Sequence, residues 1–114
     1  MAESRLALSE YKGVWLFVLF DLPVLTPEDK RNYVHFRNHL LRDGFSMLQF
    51  SVYARYCPSE DASDVHRKRA RTAIPPGGQV RILGITDKQF AKMENFLGRK
   101  RARTDESPDQ LHLL

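Results

Sequence analysis

The sequence predicts an α+β domain of the ferredoxin-like plan: a split βαβ arrangement with an antiparallel sheet and helices on one face. Three observations predict it. A short, wholly apolar run at residues 14–20 opens the patterned part of the chain. Two helical segments with capping signals follow, separated by stretches rich in β-branched and aromatic residues. The resulting order is strand, helix, strand or strand pair, helix, strand. At 114 residues the chain has the size of one domain with one modest core.

Residues 1–12 read as a flexible polar extension, residues 13–97 as the folded domain, and residues 98–114 as a basic and polar tail. The first strand is residues 14–21. A continuous apolar run closed by Asp21, Leu22 and Pro23 marks a strand buried on both faces. Thr26 can cap a helix that begins at Pro27, with Glu28 and Asp29 at its positive end. Tyr33, Phe36 and Leu40, with Val34 and Leu41, supply an apolar stripe at helical spacing. Gly44 then ends the helix in the left-handed conformation. Residues 45–56 form one bent strand or two short ones. Ser59 caps a second helix that carries Ala62, Val65, Ala73 and Ile74 inward, and Pro75-Pro76-Gly77-Gly78 stops it. Residues 80–85 make another strand. Thr86 to Gln89 has the capping-box pattern and starts a short helix. Residues 110–114 can add a late strand.

A first strand that is apolar throughout leaves the sheet face away from the helices apolar too. A small domain does not leave such a face wet, so the C-terminal segment or a second copy covers it. The expectation is a homodimer packed sheet to sheet. The net charge of +4 points weakly to an anionic partner. The single cysteine, Cys57, excludes an internal disulfide and fits a reducing cytoplasm. Glu3 and Glu10 precede the apolar run, no small-residue cleavage site follows it, and it falls far short of the ~20 residues of a membrane span. The reading is therefore a cytoplasmic protein with no membrane partner.

Asp21 is the first candidate for chemistry. A strand end holds a carboxylate at a surface on a rigid element. One carboxylate alone is a poor metal site, but Mg2+ binds through one or two carboxylates with waters and phosphate oxygens. A two-fold dimer would bring a second Asp21, and one Mg2+ shared between the pair could activate a water or brace a phosphodiester. The plainer alternative is a turn-forming aspartate bonded to nearby amides. The second candidates are cations. Arg67, Lys68, Arg69 and Arg71 lie in the second helix, and Arg31, Arg37 and Arg42 in the first. Arg99, Lys100, Arg101 and Arg103 lie in the tail. They make a broad phosphate-binding surface without a base reader, or else a solvated helix face. His35 and His39 stand four residues apart on one helix face, yet no cysteine or carboxylate pattern accompanies them. Cys57, beside Pro58, reads as a small apolar filler.

These residues resemble the CRISPR-associated protein 2 family, in particular its type II form. The resemblance rests on the apolar strand ending in Asp21-Leu22-Pro23 and on the helix with Arg31, Tyr33, Phe36, Arg37, Leu40 and Leu41. It is strongest from Gly44 through Gln49-Phe50-Ser51-Val52-Tyr53, resumes at Ile85-Thr86-Asp87-Lys88-Gln89-Phe90, and spans residues 13–97. It implies a ferredoxin-like homodimer that bridges dimers of the adaptation integrase. The assembly captures short duplex DNA, the spacer precursor, and inserts it into the repeat array. The resemblance also implies a metal-dependent endonuclease on single-stranded RNA or duplex DNA, with Asp21 of each subunit as magnesium ligand and catalytic carboxylate. Basic residues grip the nucleic-acid backbone, for which Arg31, Arg37, Arg67, Lys68, Arg69 and Arg71 are the candidates. The alternative on the same fold is a toxin-like, metal-dependent endoribonuclease that acts without an integrase.

Overall fold

The computed structural model describes residues 13–102. The extension at 1–12 and the late strand expected within 110–114 lie outside the described residues. Strand β1 (Val14–Asp21) is followed by helix α1 (Pro27–Arg42), strands β2 (Ser46–Gln49) and β3 (Val52–Cys57), and helix α2 (Glu60–Thr72). Strand β4 (Gln79–Thr86), the short helix α3 (Asp87–Ala91) and a hairpin of β5 (Asn95–Leu97) and β6 (Lys100–Ala102) complete it. The main sheet has the order β2-β3-β1-β4, and every pairing in it is antiparallel. That is the ferredoxin-like α+β fold the sequence predicts.

The local signals act where they stand. The Thr26 hydroxyl accepts from the Asp29 N–H at 3.0 Å, and the Asp29 carboxylate accepts from the Thr26 N–H at 3.1 Å. The same reciprocal box joins Thr86 and Gln89 at the start of α3. Ser59 caps α2 through the Ala62 N–H. Gly44 has φ of +88° after α1, where a Cβ is disfavoured. Residues 45–56 resolve into the strand pair, with a bulge between Met47 and Gln49 and Ser51 at φ +64° in the turn. The hairpin β5–β6 crosses the boundary drawn at residue 97, with Gly98 (φ +67°) in its turn.

Strand β1 alternates between two cores. Val14, Leu16, Val18 and Phe20 face the helices, where Phe36 and Leu40 of α1 and Ala70 of α2 close over them with Phe45, Tyr53 and Cys57. Burying a Phe or Leu side chain of this kind contributes about 1.5–3 kcal/mol. The other face carries Trp15 and Ala54, covered by Phe90 of α3. The Phe90 ring stacks on Trp15 with centroids 4.0 Å apart, and the indole N–H donates to Asp87 Oδ1 at 2.9 Å. The chain itself thus covers one end of the second face. Towards the Asp21 end Phe17 and Leu19 stay half-buried, and Leu83 is exposed.

Two expectations about helix faces are corrected. Val65 and Ile74 are exposed, and α2 turns the small residues Ser63 and Ala70 to the sheet instead. Small side chains let α2 lie close, and Val65 sits about 200° around the helix from Ser63. Ile74 falls beyond the helix end. In α1, Phe36 and Leu40 carry the core contact, while Val34 and Leu41 point outward.

Candidate active site at the end of the first strand

Asp21 is the last residue of β1 and is exposed. Three backbone features hold it there. Asp21 pairs with Gln79 on β4, and the Phe20 N–H donates to the Ser51 carbonyl at 3.1 Å. The loop after α2 presses on the same point. A Cβ on Gly78 (φ +78°) would lie 2.7 Å from the Asp21 carbonyl oxygen, so only glycine allows this approach. The turn Pro75-Pro76-Gly77-Gly78 therefore both stops the second helix and braces the carboxylate-bearing strand end.

By strand alternation Asp21 shares a face with Trp15, Phe17 and Leu19, away from α1 and α2. Leu19, Phe20, Asp21, Gln79 and Arg81 line a concavity of about 140 Å³. Gln79 lies opposite Asp21, and Arg81 lies opposite Leu19. Sequence reasoning misses Arg81. The alternation of Gln79, Val80, Arg81 and Ile82 gives its outward direction, but the register that brings it beside Asp21 is a tertiary fact.

The candidate cations are dispersed. Arg31 is exposed on the outer side of α1, beside Lys30, Val34, His35 and Asn38. Arg37 donates from Nε to the Tyr53 hydroxyl at 3.1 Å. Arg67 is half-buried over Gly84, where a Cβ would stand 3.3 Å from its Nη2. Arg69 Nη1 lies 2.9 Å from Asp43 Oδ1, and His66 Nδ1 lies 2.8 Å from Asp43 Oδ2. Burial raises the Asp43 carboxyl, but the hydrogen bonds and charges of His66 and Arg69 outweigh it and hold the group below its ordinary value. Lys68 and Arg71 stand exposed, with no ion pair to either among the described residues. All these α2 residues lie on the opposite layer from Asp21. Cys57 is buried, and burial pushes its thiol up, as suits a packing residue rather than a nucleophile.

Metal fit can be judged from the donor set. Among the described residues no group of three or more His, Cys, Asp or Glu side chains converges. Asp21 offers one anionic oxygen ligand on a rigid strand end. That fits a Mg2+ completed by a second Asp21, water or phosphate oxygens, and not a site closed within one chain. His35 is exposed and His39 half-buried, with no metal-ligand group around them.

The fold is thus a ferredoxin-like α+β domain with an exposed strand-end carboxylate beside an arginine. The sequence model of the family described as CRISPR associated protein Cas2 matches residues 14–93, and the chain belongs to that family. It is 45% identical to the CRISPR-associated endoribonuclease Cas2 of Flavobacterium psychrophilum over 97% of this chain and 96% of that protein. It is 46% identical to the CRISPR-associated endoribonuclease Cas2 of Parvibaculum lavamentivorans, over 88% of this chain and 99% of that protein. The protein of that name from Paracidovorax avenae is 42% identical, over 93% of this chain and 98% of its own. No helix among the described residues is long and apolar enough to cross a membrane.

Proposed function

We propose that this chain is a cytoplasmic, metal-dependent endonuclease that hydrolyses phosphodiester bonds, with RNA as substrate, and that it works as a homodimer. One observation carries the reading: an exposed carboxylate fixed at a strand end on the open apolar face, incomplete as a metal site among the described residues. Pairing two copies through that face buries Phe17, Leu19 and Leu83 and supplies the second Asp21. The two Asp21 carboxylates would hold one Mg2+, which when bound supplies charge stabilisation to the phosphodiester and an acidified water. The relatives' name, endoribonuclease, supports the choice of RNA.

A second role is favoured by a different observation. Lys68 and Arg71 are exposed, with no ion pair to either among the described residues, on the layer opposite Asp21, where a cleavage site has no use for them. They suit a duplex DNA backbone gripped without regard to sequence. That fits a scaffold that joins the adaptation integrase in capturing spacer precursors, in CRISPR adaptation. The two roles use opposite layers and are compatible.

The test is cleavage of labelled single-stranded RNA and duplex DNA by wild type and Asp21→Ala, with Mg2+ and with chelator. Metal-dependent cleavage by wild type that falls at least about a hundredfold in the variant supports the paired-carboxylate nuclease. Equal cleavage by both removes Asp21 from the chemistry. Absence of cleavage by either, with DNA still bound, leaves the scaffold role alone.

A further inference from the structure

Arg81 lies on edge strand β4, diagonal to Asp21 across the β1–β4 ladder. Asp21 pairs with Gln79 and Leu19 pairs with Arg81, so all four side chains share one face. Diagonal neighbours on an antiparallel face are about 7–8 Å apart, within reach of a long side chain. Arg81 and Asp21 line the same concavity, and both are exposed. No ion pair joins them among the described residues. A free guanidinium thus stands beside a free carboxylate at the mouth of an apolar face.

A charge on an edge strand also discourages stray strand pairing. That role asks for any charge at any outward position of β4. It does not explain a planar, bidentate cation two residues from the partner of Asp21, in the same concavity. A simple counter-ion for Asp21 explains it no better, because it would compete with the divalent cation the carboxylate is placed to bind. A phosphodiester resolves the conflict. Its non-bridging oxygens can accept two parallel N–H bonds from Arg81 while presenting charge to a cation at Asp21.

We infer that Arg81 is a substrate-binding residue that grips the phosphodiester to be cut, holding it against Asp21. The ligand class is the backbone phosphate of a single-stranded nucleic acid lying along the β4 edge. The inference rests on the nuclease reading, and it carries a signature of its own. Removing Arg81 should weaken nucleic acid and strengthen the divalent cation, two effects of opposite sign. Loss of a merely structural residue would weaken both.

The experiment uses the full chain, with Arg81→Gln and the conservative Arg81→Lys as variants. Binding of a labelled single-stranded RNA is measured in chelator across a salt series. Arg81→Gln should bind roughly tenfold more weakly at low salt, and its salt slope should fall by about 0.7 for each phosphate that Arg81 neutralises. Arg81→Lys should keep the slope and forfeit part of the affinity, because it keeps the charge without the fork. In the cleavage assay Arg81→Gln should raise KM for RNA and reach half-maximal rate at a lower Mg2+ concentration. Unchanged affinity and slope for Arg81→Gln in chelator overturns the inference, even if Asp21-dependent cleavage is present. Weakened binding in chelator without wild-type cleavage in any metal keeps the Arg81 grip on phosphate and overturns the nuclease reading instead.

Discussion

Asp43 caps the C-terminal end of α1, where the helix dipole disfavours a negative charge. Its carboxylate is kept by His66 and Arg69 of α2, at 2.8 and 2.9 Å, so the two bonds tie one helix end to the middle of the other. A carboxyl held below its ordinary value of 3.8 contributes stability that is present above that pH and is lost as pH falls through the lower folded value. Asp43→Asn should therefore cost about 1.5–3 kcal/mol at neutral pH, the worth of hydrogen bonds to a charged group. The gap from wild type should close in acid below pH 3.8, followed by chemical denaturation at several pH values. At this scale much is legible in the sequence. Thr26, Ser59, Thr86 and Gly44 announce their roles because a cap or a left-handed residue acts within one turn of chain. Asp21 is legible for a similar reason, being a charge at the end of an apolar run. Asp43 and Arg81 are not, because each gains its meaning from a partner that only the folded chain brings near.

The same holds for whole elements, where α2 shows how residue type can mislead. Val65 reads as a core residue by type, yet the helix buries Ser63 and Ala70. Depth of approach to the sheet, which small residues allow, sets the buried face. The same rotation sorts the cations of α2 into different jobs. Arg69 is engaged by Asp43 and Arg67 fills the space above Gly84, so charge reversal at either disturbs the fold as well as any ligand. Lys68 and Arg71 are the clean test. Lys68→Glu with Arg71→Glu should leave the melting temperature nearly unchanged, weaken duplex DNA at least about tenfold, and flatten the salt slope by about 1.8. Equal affinity after both reversals would make the outer side of α2 a solvated surface. The RNA cleavage proposed at Asp21 should survive, since Asp21 and these two cations lie on opposite layers.

Viewed whole, the molecule is a sheet with a complete core on one side and a partial one on the other. Among the described residues, 87–93 cover the Trp15 end with Phe90 and Met93, and Leu83, Leu19 and Phe17 remain towards Asp21. The fold class is readable because strand and helix order is a sequence property. Which part of the open face the chain covers for itself is not, since that depends on where α3 folds back. The proposed dimer uses what is left. Leu83→Glu should weaken self-association at least about tenfold, equivalent to about 1.4 kcal/mol, as read by sedimentation over a concentration series. Undiminished association would move the dimer contact off this face. If the dimer is abolished, metal-dependent cleavage should go with it, while DNA binding by α2 weakens only through reduced valency.

Trp15 is the only tryptophan of the chain, and it belongs wholly to the smaller core, stacked on Phe90 and bonded to Asp87. Its emission is therefore a private signal from that side of the sheet. Were α3 displaced by denaturant, the indole would meet water and its emission would move to the red. The protein thus carries an intrinsic optical report on whether α3 stays packed over its end of the sheet, read without attaching a dye.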